Sequence, residues 1–215
     1  MDATRRHPWP TLRWVALVWM VVYVPAYTLA YPATNFLFLC NLGVTLTALA
    51  IFVGNRLVVS SQAVAAPIIG LVWALDAGAR VATGSFLFGG TAYMWDPQYP
   101  LFTRLLSLYH LGWPVLVVWC LLQTGYDRRG WALQSGIAGS GIVLARLATD
   151  PAENVNFAFR DPFWGQQLGP PVLHLVIVVG ALSLVAYGIT HAILMRALRP
   201  AGAVTVPAAV VELEA

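Results

Sequence analysis

Cys40 and His110 carry reactive side chains inside long apolar runs of this 215-residue chain. A thiol beside an imidazole is a nucleophile beside its base. The ring takes the thiol proton, the thiolate attacks an acyl carbonyl, and the ring returns the proton to the leaving group. Thr34, Asn35 and Asn41 stand near Cys40 in sequence and supply donors for a carbonyl oxygen as it gains charge. Asp76 could orient the ring, as could the His110 carbonyl, which Pro114 cannot bond because it has no N–H. Arg80, Arg104, Arg146 and His174 complete the polar groups expected at the same level. Blander readings stand beside these. A buried lone cysteine often serves as a small apolar residue, and Asp76 with Arg80 four positions on reads equally as a neutralised pair near a helix end.

The level of each group follows from the runs that carry it. Hydrophobic residues make up 59% of the chain and charged residues 10%, against roughly 45–50% and about 25% in soluble domains. That leaves too few charges to build a water-facing surface. A spanning helix needs about 20 mostly apolar residues, and the runs that qualify are 13–31, 35–53, 58–77, 101–123, 131–148 and 171–195. The expected fold is therefore all-α, a six-transmembrane-helix bundle in one integral membrane domain covering 1–215. Gly54-Asn55-Arg56, the stretch from Thr124 to Gly130, and Gly169-Pro170-Pro171 punctuate the runs.

Arginine placement orients the bundle. Six spans put Arg5, Arg6, Arg13, Arg56, Arg128, Arg129, Arg196 and Arg199 on one side and only Arg80, Arg104, Arg146 and Arg160 on the other. Both termini are accordingly expected in the cytoplasm, in a bacterial inner membrane, with two long outer loops at 78–100 and 149–170. At about 1.5 Å per residue, Cys40 and Asn41 then lie roughly 8–10 Å below the outer boundary and His110 about 13 Å below it. Asp76, Arg80, Arg104, Arg146 and His174 fall near that surface. The outer loops are rich in aromatics, among them Tyr93, Trp95, Tyr99, Phe163 and Trp164, which suits an interfacial belt or a lid over a cavity.

Several classes are excluded or unsupported. The arginines are scattered, with no basic patch interleaved with aromatics, so no nucleic-acid partner is expected. Cys40 and Cys120 both lie in apolar runs, which argues against a disulfide framework. His174 and His191 are 17 positions apart on one run, about 25 Å along a helix, and cannot share an ion. No metal or cofactor is expected, and bound lipid is the ligand this location allows. Ala132, Gly136 and Ser140, with Gly139 and Gly141 beside them, give the fifth run a small-residue face for close packing within the bundle, in a homo-oligomer or in a larger membrane complex.

Phe38-Leu39-Cys40-Asn41 resembles the H-L-C-N string of the YwaF-like bacterial integral membrane proteins, whose eukaryotic relatives are cysteine/histidine transmembrane phospholipid acyltransferases. Leu108-Tyr109-His110-Leu111-Gly112 is similar to the later span bearing that group's histidine, and Asn156-Phe157-Ala158-Phe159 to its N-Y-M-F segment. The likeness covers roughly residues 31–195, with Phe38 standing in place of the histidine of H-L-C-N. A looser likeness, around Tyr31 to Phe38, is to the androgen-inducible lipid hydrolases, six-span bundles with a Thr/His pair; in that register Thr34 takes the nucleophile's place. The resemblance implies an intramembrane acyltransferase or lipid hydrolase acting on membrane lipid. The alternative is a non-enzymatic membrane protein: a small-solute or lipid carrier, or an accessory subunit.

Overall fold

A computed structural model describes residues 7–201, so Arg5 and Arg6 of the arginine count lie outside the described residues. Helices, 3-10 turns and loops make up the described chain, with no strand among those residues. Helix α1 is Leu12–Ala30, and it stops where Pro32 forces Tyr31 into extended backbone. A 3-10 turn, Ala33–Leu37, follows, and α2 runs Leu39–Val53. The second run was expected to become helical at residue 35. The start moves because Asn156, from the loop before the last helix, captures the chain here: its Oδ1 accepts from Leu39 N at 2.9 Å and its Nδ2 donates to Leu37 O at 2.7 Å.

Helix α3 is Arg56–Thr83, opened by the Asn55 side chain accepting from Val58 N at 3.1 Å. It extends beyond the expected end at residue 77. The fourth run divides into α4, Leu101–Leu106, and α5, Tyr109–Thr124. Between them the amides of Ser107, Leu108, His110 and Leu111 each bond three residues back rather than four, the tighter spacing of a 3-10 segment. Helix α6 is Gly130–Ala148. The final run holds α7, Pro171–Gly180, a π segment at Ala181–Ala186, and α8, Tyr187–Ala197. Trp131 Nε1 donates to the Ser183 carbonyl inside that π segment at 2.9 Å.

Four of the helical bodies are long and apolar enough to cross a membrane: Leu12–Ala30, Arg56–Thr83, Leu101–Thr124 and Pro171–Ala197. Helix α2 is apolar but has only 15 residues. Helix α6 has the length, and its glycines, Gln134, Ser135 and Ser140 lower its hydropathy. The protein is an α-helical membrane protein.

Helix α3 is the hub, packing on α2, α5, α6 and α8. Its stretch from Val59 to Ala66 is buried throughout, because small residues let four neighbours approach at once. Buried polar groups there bond one another: Gln62 Nε2 donates to Gln134 Oε1 at 3.0 Å, and Gln134 Nε2 to Tyr187 Oη at 3.4 Å. One end of the bundle carries both ends of the described chain. There His7 Nε2 meets Phe52 O at 3.1 Å, Asp127 N donates to Ser60 Oγ at 3.1 Å, and Tyr126 N donates to Arg199 O at 2.9 Å. The opposite end, called the loop end below, carries the segments between α3 and α4 and between α6 and α7.

Candidate functional site

A cavity of about 360 Å³ opens at the loop end. Five of the sequence-selected residues line it: Thr34 and Asn35 from the 3-10 turn, Cys40 and Asn41 from the start of α2, and His110 from α5. Most of the remaining wall is aromatic, with Tyr27 from α1, Tyr31 just after it, Trp73 from α3, and Tyr93 and Tyr99 from the α3–α4 loop. Gly90 and Glu153 stand exposed at its edge.

Cys40 occupies the first turn of α2. Helix starts leave their first amides without intrahelical partners, and Asn156 takes only that of Leu39. The amides of Cys40 and Asn41 have no partner among the described residues. Cys40 Sγ lies 3.8 Å from Asn41 Oδ1. That same oxygen accepts from Tyr23 Oη at 2.9 Å and from Tyr109 Oη at 3.0 Å, while Asn41 Nδ2 donates to Asn35 O at 2.8 Å. Asn41 is thus a buried junction tying α1, α2 and α5 together beneath the cavity.

His110 is 3% exposed, its ring stacked between Tyr109 (centroids 4.1 Å apart) and Trp73 (5.0 Å). Its Nδ1 lies 2.7 Å from Ser107 O. A carbonyl only accepts, so Nδ1 carries the proton and Nε2 is left with its lone pair. Nε2 has no hydrogen bond among the described residues. Ser107 is fixed in turn, its Oγ 2.6 Å from Tyr27 Oη. The ring is therefore oriented by backbone, not by Asp76. The carbonyl freed by Pro114 is covered by α3: an ideal Cβ on Gly70 would stand 2.6 Å from His110 O.

Asp76 corrects the expectation of an ion pair. It is 1% exposed and pairs with none of the arginines; the one salt bridge among the described residues joins Arg129 to Asp127. Instead its carboxylate accepts from Phe88 N (2.6 Å), Gly89 N (3.1 Å), Thr91 N (2.8 Å) and Thr91 Oγ1 (2.6 Å). It gathers the α3–α4 loop, which delivers Gly90 and Tyr93 to the cavity. Tyr93 Oη accepts from Trp73 Nε1 at 3.0 Å, and burial pushes its phenol above the ordinary range.

Four further residues expected in the constellation anchor loops outside the cavity. Arg80 lies over the Phe86 ring, 5.2 Å from its centroid. Arg104 Nη1 donates to Met94 O at 3.0 Å. Arg146 donates to Ala158 O at 2.9 Å and to Gln167 Oε1 at 3.2 Å. His174 is fully buried, with Leu168 N donating to its Nδ1 at 3.1 Å and its Nε2 donating to Phe157 O at 2.9 Å. With both ring nitrogens engaged, His174 holds the α6–α7 loop.

That loop also depends on Asp161, which accepts from Trp164 N at 2.7 Å, Phe163 N at 2.9 Å and Gln166 N at 2.9 Å. These amides, Trp164 first, hold its carboxyl below the ordinary 3.8. A depressed carboxylate pKa stabilises at pH above the unfolded value and loses that contribution as pH falls through the folded one. The 161–166 turn is expected to loosen only below about pH 4, read as a fall in the amide-exchange protection factors at residues 163, 164 and 166, each rate being referred to its intrinsic value at that pH. Asp161→Asn should lower those protection factors and leave them unchanged with pH across the same range. Equal acid sensitivity in both proteins would remove Asp161 as the cause.

The cavity residues that the sequence reading passed over include Tyr27 of α1 and Trp73 of α3. Tyr23, Tyr27 and Tyr31 recur every four residues, one helical face, and their rings lie tilted against one another in series, with centroids 4.2 and 5.1 Å apart. That spacing was the available signal. Of the loop aromatics, Tyr93 and Tyr99 face the cavity while Phe163 and Trp164 are exposed. The small face of α6 points outward, Ala132, Gly136 and Ser140 all being exposed.

No family model, curated protein or solved structure matches the chain. Fold and site together define an α-helical membrane protein with an aromatic-walled cavity at its loop end that holds a cysteine and a histidine.

Proposed function

We propose that this protein is an intramembrane enzyme that transfers or hydrolyses lipid acyl groups, with Cys40 as nucleophile and His110 as base. The observation that carries this reading is the shared cavity, in which Cys40 sits beside unpartnered amides and His110 keeps Nε2 unprotonated. In the proposed step, the Cys40 thiol proton passes to His110 Nε2 and the sulfur bonds the acyl carbonyl carbon. The carbonyl oxygen gains the charge and accepts from the Cys40 and Asn41 amides. The carbon–oxygen bond then breaks, His110 returns its proton to the departing alcohol, and an acyl thioester remains. Water or an acceptor hydroxyl completes hydrolysis or transfer. This is the activity implied by the resemblance to the Cys/His acyltransferases.

The reading includes six membrane passes, with α2 and α6 completing the four longer helices, both termini cytoplasmic, and the cavity facing outward from a bacterial inner membrane. Thr34 lines the same cavity and is the competing nucleophile. Purified protein treated with thiol-directed and hydroxyl-directed acyl probes separates the two. Cys40→Ala is expected to abolish labelling, Thr34→Ala to leave it intact, and His110→Ala to slow it about 10²-fold or more. Unchanged labelling and unchanged lipid composition in both the Cys40 and His110 variants would remove the enzyme reading.

A second reading, a non-enzymatic lipid carrier or accessory subunit of a homo-oligomer or larger complex, is favoured by the exposed Ala132, Gly136 and Ser140 face. Such faces allow helices of different chains to approach closely.

A further inference from the structure

We propose that the loop-end cavity binds an alkylammonium group, whose charge is held by aromatic ring faces and by the Glu153 carboxylate. As a statement about substrate this rests on the acyl-transfer reading above, and it selects lipids whose headgroup ends in ammonium. The cavity, at about 360 Å³, is within the size range of small-molecule sites. Tyr27, Tyr31, Trp73, Tyr93 and Tyr99 contribute to its wall. The faces of such rings are electron-rich and attract a cation, the more so as water is excluded. Trp73 has His110 as its one ring partner, at 5.0 Å, and Tyr99 has Tyr31, at 4.6 Å. Tyr93 has none among the described residues, and the arginines that lie over rings lie over Trp14, Phe86 and Phe159. Trp73, Tyr93 and Tyr99 therefore each keep a face that no other described ring or guanidinium covers.

Charge decides between a cation and other occupants of an aromatic wall. With His110 neutral, Glu153 is the one ionised side chain lining the cavity, and its carboxylate has no salt bridge among the described residues. The arginines of the loop end are spent elsewhere. Arg80 lies over Phe86, Arg104 donates to Met94 O, Arg146 to Ala158 O, and Arg160 to the carbonyls of Pro151 and Ala152. None of the four lines the cavity. An anionic headgroup would therefore meet a repelling carboxylate and no cationic side chain, and a neutral one would gain nothing from Glu153. The positive pole formed by the Cys40 and Asn41 amides is taken by the acyl carbonyl in the reaction above. An ammonium group uses both the ring faces and the carboxylate.

The test uses the full chain purified in an uncharged detergent, with choline as the probe and saturation-transfer NMR of its N-methyl protons as the readout. Choline is expected to bind about tenfold more tightly than its uncharged isostere, in which carbon replaces the nitrogen. Tyr99→Leu should weaken choline binding about three- to tenfold, while Tyr99→Phe keeps the ring face and should bind like the wild type. Glu153→Gln should weaken it about two- to fivefold, an effect that shrinks at high salt. A short-chain phosphatidylcholine that displaces the probe at lower concentration than free choline identifies a lipid headgroup as the source. Displacement by free choline alone identifies a soluble amine at the same site. Equal binding of the isostere overturns the proposal, as does displacement by short-chain phosphatidylglycerol as readily as by phosphatidylcholine. Wild-type affinity in both Tyr99→Leu and Glu153→Gln overturns it too. The acyl-probe experiment stays separate: choline binding without probe labelling removes the enzyme and keeps the ammonium site, and labelling without choline binding does the reverse.

Discussion

Replacing Asp76 with alanine should free the α3–α4 loop and expose the cavity. Four donors converge on this one buried carboxylate, three of them main-chain amides at Phe88, Gly89 and Thr91. Bonds to a charged acceptor are worth more than neutral ones, and a buried donor left unpaired costs its desolvation. Some of the released amides will find water at the loop end, so the expected loss is about 2–4 kcal/mol. Asp76→Asn is expected to lose a large part of it too. An amide has one acceptor oxygen, and its NH₂ would face donors. The readouts are amide exchange over residues 86–93 and the rate at which a maleimide reaches Cys40, both rising in either variant. Wild-type exchange in Asp76→Asn would mean that the loop is held by its aromatic packing instead.

Gly70→Val should be strongly damaging although it removes no polar group. A Cβ at this position would stand 2.6 Å from the His110 carbonyl oxygen and 2.7 Å from Pro114 Cγ. Neither neighbour can swing away, one being backbone and the other a ring closed onto it. Overpacking of this kind costs about 1–3 kcal/mol, or more where rigid atoms collide. Relief requires α5 to move off α3, which carries the His110 ring with it. A displacement near 1 Å costs roughly 10²-fold where geometry governs rate, so acyl-probe labelling should fall further than stability alone explains. Gly78, on the same helix, has nothing within 4 Å of its Cβ position. Gly78→Ala should be neutral or stabilising by about 0.5–1 kcal/mol. Equal melting temperatures for the two variants would show that the α3–α5 contact yields without cost.

That Cys40 and His110 line one cavity was legible because apolar run length sets depth and depth is nearly linear in residue number within a helix. Asn35 and Thr34 reach the same cavity by another route. They belong to a 3-10 turn that the Asn156 contact from a distant loop stabilises, and no local pattern contains a partner more than a hundred positions away. Charge was misread for a related reason. Asp76 and Arg80 have the spacing of an intrahelical pair, yet three loop amides and a hydroxyl together outcompete one guanidinium for a buried carboxylate. Sequence spacing reveals candidate partners on the same helix and is silent about what folds over it. His174 likewise sits at the expected level but spends both nitrogens on one loop.

The widened turn at Ala181–Ala186 bears on how the last membrane segment should be read. A single turn of i→i+5 bonds accommodates about one extra residue, so the two halves of this segment are angularly out of phase. His174 and Tyr187 can both point inward although no single 3.6-residue wheel drawn through the segment places them together. Alignments or helical projections that treat it as one uninterrupted rod will misassign which side chains meet lipid beyond Gly180, and a single inserted or deleted residue there is a topological edit, not a local one.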